Sequence, residues 1–144
     1  MTQLEMTQIE QVLYTARVHT TGDRAGGSAR TDDGRLEVKF STPGGPGDGT
    51  NPEQLFGAGW SACYIGAMGL AARRLNVKLP ADTGDDVEVD LCLVEGAYFL
   101  QARHKVSLPG LPRDVAQALI DAAAETCPYS KATKGNIHVT YTLV

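Results

Sequence analysis

Three cysteines, Cys63, Cys92 and Cys127, are the residues of this chain best suited to covalent chemistry. A thiolate is a strong nucleophile, and a second thiol can trap its oxidised form as a disulfide. Cys63 lies in a run from Gln54 to Ala72, 19 residues without a charge, where a thiolate is costly unless a cation reaches it. Cys127 follows an expected helix, at the dipole end that disfavours a thiolate. Cys92 falls with Glu88 and Asp90 on the polar side of an expected strand. Taken singly, each thiol is more simply explained as a small buried hydrophobe. None belongs to a C-x-x-C motif, and His19, His104 and His138 lie far from all three in sequence, so no zinc site is expected. An odd cysteine count also fits a secreted disulfide scaffold poorly.

The elements that must hold these thiols follow from periodicity and punctuation. Residues 1–11 are mostly polar and read as a flexible N-terminal extension, with residues 12–144 as a single domain. From Val12 an alternation through Tyr14, Ala16 and Val18 predicts a strand. Thr21–Gly27 turns the chain, and Asp32-Asp33-Gly34 reads as a hairpin turn into a strand over Arg35–Phe40. Ser41–Thr50, with four glycines and two prolines, is a loop. Asn51-Pro52-Glu53-Gln54 then opens a helix: Asn caps, Pro is preorganised for the first helical position, and Glu53 meets the positive dipole end. The uncharged run satisfies the length of a membrane span. Its glycines and alanines, with few strongly inserting residues, predict instead a central helix buried on every side, ending at Arg73 and Arg74.

In the second half Val87, Val89, Leu91 and Leu93 alternate with polar residues, and Glu95-Gly96 turns that strand into another over Tyr98–Leu108. A helix is expected over Arg113–Thr126, stopped by Cys127-Pro128, and a last strand over Ile137–Leu143. The order β-β-α-β-β-α-β predicts an α+β domain with mainly antiparallel sheets. Composition narrows the function classes. Of 144 residues, 42% are apolar and 21% charged, an ordinary globular mix, and the net charge is −4 without a Lys/Arg block. Such a chain is a poor candidate for binding nucleic acid or an anionic membrane. The opening Met1-Thr-Gln-Leu-Glu5 lacks the basic and apolar regions of a secretory signal, so a cytoplasmic location is expected.

Two longer stretches carry more information than any single thiol. Asn51-Pro-Glu-Gln-Leu-Phe-Gly-Ala-Gly-Trp-Ser-Ala-Cys63 is followed, 64 residues after Cys63 (127 − 63), by Cys127-Pro-Tyr-Ser-Lys-Ala-Thr-Lys-Gly-Asn136. With Tyr14-Thr-Ala16 and the segment from Leu36 to Pro43, they closely resemble the organic hydroperoxide resistance proteins of the Ohr/OsmC family, across roughly residues 12–144. Gln54-Leu-Phe56 and Pro128-Tyr-Ser130 fit the Ohr branch better than the osmotically inducible one, although Trp60 stands where the family usually has tyrosine. The resemblance implies an OsmC-like fold around a buried central helix, in an intertwined homodimer with two sites at its interface. It implies a peroxiredoxin-like thiol peroxidase with Cys63 peroxidatic and Cys127 resolving. Arg24, in Gly22-Asp-Arg-Ala-Gly26, takes the place of the family's catalytic arginine, with Arg17 and Arg30 as alternatives, and Glu53 takes that of its acidic partner. The implied substrates are alkyl and fatty-acid hydroperoxides. The implied reductant is an external dithiol on lipoylated protein subunits, with no bound metal, flavin or haem.

Elementary chemistry asks for the same residues. A buried Cys63 needs a cation such as Arg24 to become a thiolate, and a guanidinium also donates to the departing oxygen. Trp60, Tyr64, Ile65 and Met68 lie within a turn or two of Cys63 and suggest an apolar wall for a greasy substrate, or ordinary core. Glu53 and Cys63 are ten residues apart, about 15 Å along an unbroken helix. Either the helix breaks at Gly57 or Gly59, or each site takes its glutamate from a partner subunit, the arrangement expected here. Two alternatives remain at this point: an osmotically inducible type peroxidase of other hydroperoxide preference, and a non-enzymatic cysteine redox sensor or apolar-ligand binder.

Overall fold

The alternation that begins at Val12 becomes a strand only at Val18 in the computed structural model, which describes residues 6–144. The expected extension over residues 1–11 therefore lies partly outside the described residues, and residues 6–17 carry neither helix nor strand. Two units make up the chain, Met1–Asn51 and Pro52–Val144. The first holds an antiparallel sheet of β1 (Val18–Thr21), β2 (Ser28–Thr31) and β3 (Glu37–Lys39), in that order. A strand forms only where it has a partner, and β2 offers four residues, pairing from Val18 with Thr31 to Thr21 with Ser28. Val12, Leu13 and Tyr14 are left exposed. No expectation covered β2, because Ser-Ala-Arg-Thr gives no period-2 apolar signal. The expected strand over Arg35–Phe40 keeps only its middle, and Phe40 makes an isolated bridge to Thr50.

The second unit contains α1 (Pro52–Arg74), β4 (Gly84–Val94), β5 (Ala97–Ser107), α2 (Arg113–Thr126), α3 (Pro128–Thr133) and β6 (His138–Leu143). Both long helices fall on the expected residues. Glu95 and Gly96 have φ of 49° and 80°, the paired left-handed conformation of a tight hairpin, and they join β4 to β5 in antiparallel register. β6 runs parallel to β5, which requires a crossover, and α2 with α3 supplies it. Three of the four strand pairings among the described residues are antiparallel, so the α+β class with mainly antiparallel sheets describes the fold.

The core of this unit forms along one face of α1. Trp60, Tyr64 and Met68 have no solvent exposure, and Ala67, Ala71 and Ala72 continue their stripe. They pack in one cluster with Ala102 and Val106 of β5 and Leu119, Ile120 and Ala123 of α2. The expectation of burial on every side is corrected: Ala58, Ala62, Gly66 and Leu70, at steps of four, are exposed in the single chain. A helix uniformly apolar around its circumference has no sequence feature that distinguishes its faces. α1 is long and apolar enough to cross a membrane by length and composition. Its largest side chains nevertheless fill the core beside the sheet and α2, the behaviour of a core helix.

Candidate active site

Cys63 and Cys127 meet. Their sulfurs lie 3.3 Å apart and share a hydrogen bond, with Cys63 half-buried and Cys127 without exposure. The approach has local causes on both sides. Cys63 sits midway along α1, which runs unbroken through Gly57 and Gly59. Cys127 precedes a proline, which drives it to φ −62°, ψ 124°, so it ends α2 and begins α3 in one step. The expectation that it lies only at a helix C-terminus is thus incomplete. Folding α3 back brings Tyr129 against α1, where a Cβ on Gly59 would come within 3.0 Å of the Tyr129 hydroxyl oxygen. Glycine at this position gives that hydroxyl its room.

Electrostatics in this unit hold Cys63 as a thiol. Burial pushes its pKa above the ordinary cysteine value, and the hydrogen bond with Cys127 pushes it further, while the Tyr129 backbone N–H pulls it down. A nucleophilic Cys63 therefore needs a cation beyond the groups responsible for these shifts. Glu53 lies in the first turn of α1, half-buried. Because the helix is continuous, Glu53 stands about 15 Å along it from Cys63, and the helix-break alternative is excluded. Arg24 belongs to the other unit, in a turn whose shape only glycine closes. Gly22 has φ of 74°, and a Cβ on Gly27 would lie 2.5 Å from the Thr21 carbonyl oxygen. Asp23 fixes this turn, its carbonyl accepting from Gly27 N–H at 2.8 Å and its carboxylate from Ala25 N–H at 2.9 Å.

The apolar wall expected around Cys63 is largely interior: Trp60, Tyr64 and Met68 are wholly buried, and Ile65 is half-buried. Cys92 is half-buried on β4, its thiol directed at the Asp90 carbonyl oxygen 3.9 Å away.

Sequence reasoning missed a buried polar group in the core of this unit. His104 Nδ1 and Asp85 Oδ2 lie 2.6 Å apart with both side chains inaccessible to solvent. His104 is stacked on Tyr141, with ring centres 5.0 Å apart and planes 12° from parallel, and Trp60 meets it edge-on at 4.5 Å. Removing one member of such a buried hydrogen-bonded pair costs about 1–3 kcal/mol, since the other's polar atom is left stranded. Ser130 Oγ accepts from Trp60 Nε1 at 3.1 Å and from the Tyr141 hydroxyl at 2.9 Å. Pairing of β5 with β6 sets His104 opposite Tyr141 and so brings these two rings together.

Comparison with known proteins places the chain in a family and a fold. Residues 45–142 match the family described as OsmC-like protein. The organic hydroperoxide resistance protein of Xanthomonas axonopodis pv. citri (strain 306) is 44% identical over 142 residues, 96% of this chain and 99% of that protein. The crystal structure of the organic hydroperoxide resistance protein OhrB of Bacillus subtilis superposes with a TM-score of 0.87 at 38% identity, covering 92% of this chain and 100% of that one. A Vibrio cholerae structure, described as a putative organic hydroperoxide resistance protein with captopril bound in one of its active sites, gives a TM-score of 0.85 at 31% identity, covering 92% and 93%. The chain belongs to the OsmC-like family, alongside its organic hydroperoxide resistance members.

Proposed function

We propose that this chain is a cysteine-based peroxidase that reduces organic hydroperoxides to alcohols in defence against oxidative stress. The observation that carries the proposal is the 3.3 Å approach of two thiols 64 residues apart in the chain (127 − 63). In this mechanism the Cys63 thiolate attacks the peroxide, one oxygen stays on sulfur as a sulfenic acid, and the other leaves as the alcohol after taking a proton. Cys127 then attacks the sulfenic sulfur, forming the disulfide and releasing water. The sulfurs need to close by little more than about 1 Å to reach bonding distance. Arg24 supplies the cation that a buried thiolate requires, and Glu53 orients the guanidinium. No group need be bound for this chemistry; an external dithiol, such as a dihydrolipoyl group on a carrier protein, reopens the disulfide.

The assay is consumption of tert-butyl hydroperoxide with dihydrolipoamide as reductant. Many turnovers per chain are expected, whereas a sensor that oxidises once would consume a single equivalent. Cys127→Ser should permit the first oxidation and then leave Cys63 open to sulfinic acid, seen by mass spectrometry as two added oxygens. A surviving reversible cycle in that variant would contradict the resolving role.

A homodimer with shared sites completes the proposal. The exposed strip of α1 and the exposed Leu91, Leu93, Tyr98 and Phe99 at the β4–β5 tip leave apolar surface for a second copy to cover. Continuity of α1 separates Glu53 from Cys63 of its own chain, which favours a glutamate donated across a two-fold axis. Unfolding Cys63→Ser and Glu53→Ala together and refolding them should regenerate one intact site per heterodimer. No recovered activity, with heterodimers shown to form, would rule out the shared site.

A further inference from the structure

Capture of an oxidised Cys63 by Cys127 depends on α1 and α3 keeping two sulfurs within reach. One turn from each sulfur the helices are tied together. Trp60 stands three residues before Cys63, and Ser130 stands three residues after Cys127. The indole N–H of Trp60 donates to Ser130 Oγ at 3.1 Å, with Trp60 0% and Ser130 3% exposed, so water does not compete for the bond. The Tyr141 hydroxyl donates to the same oxygen at 2.9 Å and ties the pair to β6. Tyr141 is held in turn by its stack on His104, which Asp85 fixes from β4.

We propose that Trp60 and Ser130 are positioning residues whose hydrogen bond brackets α1 against α3 and sets how fast Cys127 captures the oxidised Cys63. This rests on the proposed peroxidase cycle. In the step concerned, Cys127 sulfur bonds to Cys63 sulfur while the Cys63 S–O bond breaks. The hydroxide leaves with the Cys127 proton as water, the Cys63 sulfur being reduced and the Cys127 sulfur oxidised. A competing peroxide molecule instead adds a second oxygen to Cys63. The two fates start from one intermediate, so their ratio reports sulfur–sulfur geometry and not the amount of folded protein.

The test is the ratio of sulfinic acid to disulfide, measured by mass spectrometry across peroxide concentrations, in Ser130→Ala, Trp60→Phe and the double variant. Loosening a reacting pair by an ångström costs up to about a hundredfold, so the ratio should rise by about ten- to a hundredfold in each single variant. The double variant should add little to either single one, because both remove the same bond. Ser130→Thr, which keeps the hydroxyl, should restore the wild-type ratio. Trp60→Phe keeps an aromatic ring in the core and carries the test if Ser130→Ala does not fold. Wild-type ratios in Trp60→Phe or in folded Ser130→Ala would overturn the bracket. Absence of any Cys63–Cys127 disulfide in the unaltered chain would instead overturn the peroxidase cycle itself.

Discussion

Replacing Cys63 with serine should reduce hydroperoxide turnover to the rate of the dithiol alone. Serine is nearly isosteric with cysteine, and Cys63 is only half-buried on a long helix, so the fold should survive. What disappears is the one atom that can accept a peroxide oxygen at this position. A hydroxyl is far less acidic and far less nucleophilic than a thiol, and no nearby group compensates. Losses on the order of 10⁶ accompany removal of a catalytic nucleophile in well-studied hydrolases. Cys127, with no solvent exposure, should not substitute for it. Cys92→Ser is the matched control and should retain full turnover, since that thiol is directed at the Asp90 carbonyl and lies on the charged side of β4. Substantial peroxidase activity in Cys63→Ser would defeat the assignment of the nucleophile.

Arg24→Ala should slow the first oxidation by about 10²–10³-fold, the scale of losing one preorganised donor to developing negative charge. Burial first, and the hydrogen bond with Cys127 second, push the Cys63 thiol up. In such surroundings the thiolate fraction at neutral pH is small without a cation, and the rate of peroxide attack follows that fraction. Losing the guanidinium should raise the Cys63 pKa further. Alkylation by iodoacetamide would then reach half its limiting rate at a higher pH than in the unaltered chain. Arg24→Lys keeps the charge and loses the planar fork, so only part of the rate should return. Identical alkylation profiles for Arg24→Ala and the unaltered chain would remove Arg24 from the site and direct attention to Arg17 or Arg30.

Local signals carried much of this molecule. The Asn51-Pro52 start and the Cys127-Pro128 stop set the ends of α1 and α2 because capping and proline sterics act within a few residues. Glu95-Gly96 placed a hairpin for the same reason. The two long motifs identified Cys63 and Cys127 as a pair, although neither thiol was distinctive by itself. β2 and α3 escaped because four and six residues are too few to display a period, and their existence depends on partners supplied by other elements.

Sequence alone determined the limits of the two long helices, the β4–β5 hairpin, the α+β class and the two thiols on which the chemistry was expected to rest. Tertiary structure decided which face of a uniformly apolar α1 is buried, because coverage depends on where β5 and α2 come to lie. It also decided that two sulfurs 64 residues apart (127 − 63) approach to 3.3 Å, a long-range contact that no local pattern encodes. The buried Asp85–His104 pair and the Trp60–Ser130–Tyr141 group belong to the same category. Their members look like ordinary surface or core residues in the sequence. A polar side chain becomes tolerable inside only when folding delivers its partner, and that delivery is settled by the packing of distant elements.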